Sequence, residues 1–255
     1  MTVTDKRSSP PVVSIITVCY NAARFIESTI QSVLAQTYPH IEYIIIDGAS
    51  KDNTLEVVAP YRSRIAKVVS EKDNGLYDAM NKGMQLATGE YLLFLNADDT
   101  LADNTVIEQM LQACPDADVY YGEAMFIDEK GAELGLRSEQ TPHQVPAQLT
   151  WKSLKHGMVV SHQAYIIRRR LSPLYDLQYK VCADIDWMIR TLKASRHICN
   201  THVVVSRFRV GGTSKQRQQL AWKERYKILS RYYGHIPNFT HHLFIGLRYI
   251  FSKKY

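Results

Sequence analysis

The sequence predicts an α/β fold, in which a mixed, mostly parallel sheet carries helices on both faces and a basic helical tail follows. Two observations lead to this class. Runs rich in β-branched residues alternate with segments of helical apolar spacing through residues 12–100, which is the pattern of βαβ units. Polar residues also collect directly after those runs, at the strand ends where open α/β sheets bind ligands.

The first half of the chain supplies the regular alternation. Its apolar runs predict strands at 12–20 (VVSIITVCY), 41–50, 64–70 and 90–99 (EYLLFLNADD). Apolar residues at helical spacing predict helices at 21–36, 51–61 and 77–89. Asn21 is a possible N-cap of the first helix, and Gly89 is expected to close the third.

The alternation loosens after residue 100. The pattern there predicts a helix at 103–113 capped by Asp103, a hairpin at 118–135 turning at EKGA, a strand at 161–169, a helix at 183–194 and a strand at 197–208. With neither a repeat nor a low-complexity linker, the chain divides into a disordered lead (1–11), one catalytic domain (12–210) and a tail (211–255).

Composition narrows the cellular setting. The N-terminal residues lack the apolar core of a signal peptide, and no stretch offers the roughly 20 apolar residues of a membrane span. The four cysteines have neither zinc-site spacing nor the pattern of a disulfide framework, so we expect free thiols in a reducing cytoplasm.

Charge is divided unequally along the chain. Residues 1–140 hold 11 Lys and Arg against 21 Asp and Glu, a net charge of −10, and residues 141–255 hold 20 against 4, a net charge of +16. This asymmetry favours a polyanionic partner for the second half, either nucleic acid or an anionic membrane surface. The alternative is a solvated basic face.

Several common nucleotide-binding classes lack their motifs here. The sequence has no GxGxxG after its first strand, no GxxxxGK[ST] and no GxSxG. A dinucleotide-binding Rossmann domain, a P-loop NTPase and an α/β-hydrolase are therefore disfavoured.

Three segments together resemble the family 2 glycosyltransferases, whose fold is the Rossmann-like GT-A fold. They are VSIITVCYNAARFIESTIQSVLAQTYPHIEYIIIDGASKDNT, SEKDNGLYDAMNKGMQLATGEYLLFLNADD and VCADIDWMIRTLKA. The similarity runs from about residue 12 to about 215 and is greatest to bacterial enzymes that build O-antigen, colanic-acid and other exopolysaccharide repeat units. It implies a nucleotide-sugar half at 12–100 and an acceptor half at 101–210.

The resemblance implies a divalent metal, Mn²⁺ or Mg²⁺, at the strand end NADD. Such a cation neutralises the nucleoside diphosphate as the sugar departs. Asp98 stands at the metal-ligand position of the family's DxD motif, and Asn96 occupies the place where the first acid often stands. The alternative is that these residues cap the following helix.

Further donor-binding residues are implied by the same resemblance: Thr17, Tyr20, Asn21, Asp47, Asp73 and Asn81. Asp47 would meet the base or ribose, and Tyr20 with Asn21 would form the floor of the pocket. The second acid that often follows Asp47 is replaced by Gly48. Asp47 and Gly48 could also form a plain turn.

Asp184 takes the position of the family's general base, which deprotonates the acceptor in an inverting transfer. The family's usual Glu–Asp pair is Ala183–Asp184 in this chain. His162 and Trp187 are acceptor-side candidates. Trp187 could equally pack in the interior, and His162 could be structural.

The tail interleaves basic and apolar residues. Phe239, Leu243, Phe244, Leu247, Ile250 and Phe251 approximate one apolar helical stripe, with Arg248, Lys253 and Lys254 available to anionic headgroups. We expect peripheral attachment to the cytoplasmic face of the inner membrane, although the stripe could instead pack on the domain.

The combined expectation is a metal-dependent, inverting hexosyltransferase. It would move sugar from a nucleotide-diphospho sugar, UDP-linked by expectation, to a saccharide on a polyprenyl diphosphate, without a nucleic-acid partner. A non-catalytic partner protein of the same fold and a nucleotidyltransferase remain alternatives.

Overall fold

A computed structural model describes residues 9–211 and 217–235. The predictions for most of the disordered lead and for the apolar stripe between Phe239 and Phe251 lie outside these residues.

The element bounds follow the sequence pattern closely. The strands are β1 (Val13–Cys19), β2 (Ile41–Asp47), β3 (Lys67–Ser70), β4 (Tyr91–Phe94), β5 (Thr100–Leu101), β6 (Val119–Ile127), β7 (Glu133–Leu136), β8 (Tyr165–Arg168) and β9 (Ile198–Arg209). The α-helices are α1 (Ile26–Leu34), α2 (Thr54–Val58), α3 (Leu76–Leu86), α4 (Val106–Ala113), α5 (Arg137–Gln140), α6 (Ala183–Ala194) and α7 (Gln218–Tyr233).

One mixed sheet organises the domain in the order β3-β2-β1-β4-β8-β6-β9-β5, and β7 pairs with β6 as the predicted hairpin. The pairs among β3, β2, β1 and β4 are parallel, whereas β8 is antiparallel to both neighbours. Every residue of β1 and of β4 is buried, which explains their continuous apolar runs. The register sets Cys19 beside Asp47, so β1 and β2 end at the same sheet edge.

Three predicted helix boundaries are wrong. The first helix begins only at Ile26, and Asn21 adopts a positive φ of 51° in the preceding loop. Helix α3 ends at Leu86, before Gly89, because Ala87 is already extended. Asp103 accepts hydrogen bonds from the Thr105 amide and hydroxyl, so it forms a turn ahead of α4.

Helix α7 packs on the domain. Ile228 and Leu229 are fully buried, and Glu224 is 7% exposed. The sequence correctly predicts a helix here, but its packing extends the compact unit past the expected boundary at 210. Among the helices that the structure describes, none combines the length and apolar composition needed to cross a membrane.

The expectation of four free cysteines is wrong. Cys114, which follows α4, is disulfide-bonded to Cys199 on β9, with Cα atoms 6.3 Å apart. The pairing joins positions 85 residues apart, and only the packing of α4 on the sheet brings them together. Cys19 and Cys182 are free and buried.

Candidate active site

A cleft of about 760 Å³ opens at the carboxyl ends of β1 and β4. The loop after β1 contributes Tyr20 and Asn21, and the loop after β4 contributes Asn96 and Asp98. His162 and Asp184 also line the cleft, and Asp184 lies in the first turn of α6. Asp73 also lines the cleft, from the loop before α3. The structure therefore brings together seven of the predicted site residues.

Asp98 and Asn96 both line the cleft, and both have oxygen-bearing side chains. Burial raises the pKa of the Asp98 carboxyl above its ordinary value of 3.8, although the charges of Arg209 and His162 oppose this. The Asn96 side-chain oxygen is buried and has no hydrogen-bond partner within the described part of the chain. Both groups are hard oxygen donors, the type that Mg²⁺ and Mn²⁺ prefer.

Asp99 links its own loop to β9 and to the turn that precedes β8, and it does not line the cleft. Its carboxylate accepts hydrogen bonds from the Gln163 side chain at 2.7 Å and from the Arg209 amide at 2.9 Å. Burial, and then the neighbouring charge of Asp98, raise the pKa of Asp99 well above its ordinary value. The residue thus fixes the loop that carries Asp98.

These residues fit a divalent cation, but they supply only part of its coordination. No cluster of three or more His, Cys, Asp or Glu side chains suited to a metal occurs among residues 9–211 and 217–235. Asp98 and the unpartnered oxygen of Asn96 would therefore need further oxygen ligands. A bound diphosphate supplies these in many phosphate-binding metal sites.

Asp47 lies beneath the cleft and does not line it. It is fully buried, and its carboxylate accepts hydrogen bonds from the Ser50 amide (3.0 Å), the Ser50 hydroxyl and the Ser70 hydroxyl (2.6 Å). Ser50 in turn accepts a 2.8 Å hydrogen bond from the Asn21 amide. Direct donor contact by Asp47 is therefore not supported, and the residue instead fixes the Tyr20–Asn21 loop.

Three other predicted site residues lie outside the cleft. Thr17 is fully buried within β1 and contacts the Tyr43 hydroxyl at 3.1 Å. Asn81 is 7% exposed and exchanges hydrogen bonds with the backbone of Tyr175. Trp187 is completely buried, and its indole N–H donates to Ser172. All three side chains point into the interior of the domain. The structure therefore does not support the nucleotide-sugar contacts predicted for Thr17 and Asn81 or the acceptor contact predicted for Trp187.

Asp184 is oriented by two donors on one oxygen. Its Oδ1 accepts hydrogen bonds from the Tyr77 hydroxyl at 3.2 Å and from the Ile185 amide at 3.0 Å. Its Oδ2 lies 3.6 Å from Nδ1 of His162. Asp186, two residues on, is fully buried and pairs with Arg190 at 2.7 Å, so it faces away from the cleft.

His162 interacts with both Asp98 and Asp184. It is 9% exposed, and its Nε2 is buried without a hydrogen-bond partner among the described residues. Its charge acts on Asp98, and its Nδ1 approaches Asp184. The residue therefore lies between the proposed metal ligand and the proposed base.

Comparison with known proteins identifies the family. The model of "Glycosyl transferase family 2" matches residues 14–172. The chain is a family 2 glycosyltransferase. It is 31% identical over 215 residues to a PGL/p-HBAD biosynthesis glycosyltransferase of Mycobacterium bovis, covering 80% of this chain and 79% of the relative.

Solved structures of similar fold confirm the expected GT-A architecture of this glycosyltransferase. The S. aureus TarS 1-349 structure in complex with UDP superposes with a TM-score of 0.68 at 16% identity, covering 95% of this chain and 73% of TarS. The mannosyltransferase PcManGT from Pyrobaculum calidifontis, solved with GDP-Man and Mn²⁺, gives a TM-score of 0.64 at 16% identity. The superposition covers 96% of this chain and 77% of the PcManGT chain.

Four cations, Arg137, Lys180, Arg209 and Arg217, also line the glycosyltransferase cleft. Lys180 and Arg217 are exposed at its wall, and Arg137 lines it while donating to the backbone oxygens of residues 158 and 159. Arg209 lies with its guanidinium 4.5 Å from the Phe25 ring and donates to the Asp98 carbonyl. These cations come from four separate segments, so no local spacing could reveal the cluster.

Proposed function

We propose that this chain is a metal-dependent, inverting glycosyltransferase that moves a sugar from a nucleotide-diphospho sugar to a saccharide acceptor. One observation carries the proposal: Asp98 and Asn96, with their side-chain oxygens, and the carboxylate of Asp184 line a single cleft. A nucleotide sugar bound at Asp98 and an acceptor hydroxyl bound at Asp184 would meet within that cleft.

The donor side would recognise the nucleotide diphosphate. Asp98 and Asn96 would hold Mn²⁺ or Mg²⁺, which would supply charge neutralisation for the departing diphosphate. Tyr20, Asn21 and Asp73 would contact the base and ribose, and Arg209 or Arg217 would add positive charge near the phosphates. The likeness to proteins solved with UDP and with GDP-Man and Mn²⁺ supports this assignment.

The acceptor side would supply the base. Tyr77 and the Ile185 amide orient Oδ1 of Asp184, so the carboxylate has a fixed direction before the acceptor arrives. Asp184 would take the proton of the attacking hydroxyl as the new glycosidic bond forms. Attack from the face opposite the departing diphosphate inverts the anomeric centre.

We propose a UDP-linked hexose as donor and a polyprenyl-diphosphate-linked saccharide as acceptor, in bacterial cell-surface polysaccharide synthesis on the cytoplasmic face of the inner membrane. The motif order, which resembles that of exopolysaccharide enzymes, and the +16 charge of residues 141–255 support this narrower assignment.

The first experiment identifies the donor. Thermal unfolding is measured with Mn²⁺ and each of the common UDP, GDP and dTDP sugars, because a ligand that binds the native state raises its stability by mass action. We expect one nucleotide class to stabilise the protein, and the effect to disappear with EDTA or in Asp98→Ala. Absence of stabilisation by every donor would contradict the proposal.

The second experiment tests the base with the donor so identified. Asp184→Asn should bind the donor normally and lose about 10²- to 10⁴-fold in turnover, while Asp176→Asn, an acid outside the cleft lining, should retain both. Near-normal turnover by Asp184→Asn would refute the base assignment. Donor binding by the wild type without hydrolysis or transfer to any acceptor would instead favour a non-catalytic partner protein.

A further inference from the structure

Glu224 of helix α7 makes an unusual set of contacts with the segment that leads into α6. Its Oε1 accepts a hydrogen bond from the Lys180 amide at 2.7 Å, and its Oε2 accepts from the amides of Val181 and Cys182 at 2.9 and 3.0 Å. The side chain is 7% exposed. A single buried carboxylate therefore binds three consecutive backbone N–H groups.

The position of this segment gives those contacts a consequence for the site. Residues 180–182 come immediately before α6, and Asp184 is the second residue of that helix. The Tyr77 hydroxyl also holds this segment, because its single hydrogen is shared between the Val181 carbonyl at 2.8 Å and Oδ1 of Asp184 at 3.2 Å. Glu224 and Tyr77 thus fix the backbone of the turn that presents Asp184.

We infer that Glu224 is a positioning residue for Asp184. Glu224 is absent from the residues that line the cleft, so it acts through the backbone of residues 180–182 and touches neither substrate. The inference depends on the proposed role of Asp184 as base. Charge-assisted hydrogen bonds to backbone amides are about twice as strong as neutral ones, which suits a group that holds a loop.

The precision required of a base explains why this support matters. A displacement of about 1 Å at a reacting group can reduce the rate about 100-fold, although the donor still binds. The donor ligands Asp98 and Asn96 lie on the loop after β4, which Asp99 fixes independently of α7. Loss of Glu224 should therefore lower turnover and leave donor affinity unchanged.

The test compares Glu224→Gln with variants of the same helix. The glutamine keeps the size of the side chain, but its NH₂ group cannot accept the amide hydrogen bonds made by one of the two carboxylate oxygens. We expect kcat to fall about 10- to 100-fold, with the donor dissociation constant within twofold of wild type. Lys223→Ala, an exposed neighbour, should retain both values.

Ile228→Val controls for a loss of stability alone. Ile228 is fully buried on α7, so the substitution weakens helix packing and leaves the carboxylate in place. Its kcat should equal that of wild type at temperatures well below unfolding. If Glu224→Gln does not fold, Glu224→Asp retains the charge at a shorter reach and should show the same selective fall in kcat.

A double-mutant cycle with Asp184→Asn decides the route of the effect. If Glu224 acts by positioning Asp184, adding Glu224→Gln to Asp184→Asn should reduce turnover no further. An additive loss, or unchanged kcat in folded Glu224→Gln, would overturn the inference while the Asp184→Asn result stands. Retained turnover in Asp184→Asn itself would remove both the base assignment and the inference.

Discussion

Substitution of Gly48 by alanine should weaken donor binding without unfolding the protein. Gly48 follows Asp47, the last residue of β2. A Cβ atom there would lie 2.4 Å from Oδ2 of Asp73 and 3.4 Å from Cδ2 of Tyr20, and both of these residues line the cleft. The absence of a side chain at 48 thus lets the Asp73 carboxylate occupy the space beside the strand end.

The geometry sets the size of the expected effect. Ordinary contact begins at 3.4 Å, so the carboxylate oxygen of Asp73 must retreat by about 1 Å to admit the new methyl group. A retreat of that size breaks a hydrogen bond from a donor hydroxyl to the carboxylate. Such a bond contributes about 1.5–3 kcal/mol, which corresponds to an affinity loss of roughly 10- to 150-fold.

Isothermal titration with the identified nucleotide sugar measures this loss, and urea unfolding measures stability. Stability should change little, because the displaced atom ends a side chain at the protein surface. Asp73→Ala should cause a similar loss of affinity, and the double variant should be no weaker than Asp73→Ala alone. Additive losses, or an unchanged affinity in Gly48→Ala, would refute the assignment of Asp73 to the donor pocket.

Two further predictions concern the interior and the acid stability. Trp187→Ala should cost about 3–5 kcal/mol of unfolding free energy because the ring is buried against Phe94 and Tyr175. Folded Trp187→Phe, in contrast, should keep the KM for the acceptor. A raised KM at unchanged stability would instead show that the Trp187 ring contacts the sugar. Burial opposes ionisation of Glu42, but hydrogen bonds from Ser14, Thr88 and Gly89 lower its pKa below 4.5. The ionised Glu42 carboxylate therefore stabilises the folded protein at neutral pH, and this stabilisation is lost as the pH falls through the folded-state pKa. Glu42→Gln should lower the free energy of unfolding by about 2 kcal/mol at pH 7 and by less below pH 4. A difference in urea unfolding that does not change with pH would contradict this.

The sequence predicted the strands well because their burial leaves a direct record. Residues of β1 and β4 are enclosed on both faces, and they are apolar apart from Ser14 and Thr17, which are hydrogen-bonded to Glu42 and Tyr43. Helix starts were harder to predict, since a polar residue can cap a helix or form a separate turn. Asn21 illustrates the second case: its side chain accepts a 2.8 Å hydrogen bond from the Lys51 amide across two loops.

The candidate site was predicted only in part, for a related reason. Asp98 and Asp184 lie near the ends of β4 and α6 and line the cleft, whereas Asp47 is the last residue of β2 and accepts hydrogen bonds from Ser50 and Ser70. All three are acids near the end of an element, so the sequence pattern does not tell which of them lines the cleft and which is buried. Lys180 and Arg217 reach the cleft from loops far apart in the chain, which only the tertiary fold brings together.

Some of the opposite charges of the two halves of the sequence pair with each other in the fold. Arg168 of the basic half is buried beside Glu90, Asp116 and Asp118 of the acidic half, with its Nη2 2.7 Å from Asp116 and its Nε 3.4 Å from Asp118. Part of the opposite charge of the two halves is therefore paired within the domain, where β8 lies between β4 and β6. A large charge difference along the sequence is thus weak evidence for nucleic acid.

The cleft is where this division still predicts a ligand. The acidic half supplies Asp98 and Asp73 to its lining, and the basic half supplies Arg209 and the exposed Arg217. A nucleotide diphosphate with a divalent cation carries both signs of charge and matches this mixed lining, whereas a polyanion alone would be repelled by the carboxylates. Mn²⁺ should therefore strengthen nucleotide-sugar binding in the wild type and lose that effect in Asp98→Ala, and equal binding with and without metal would contradict this match.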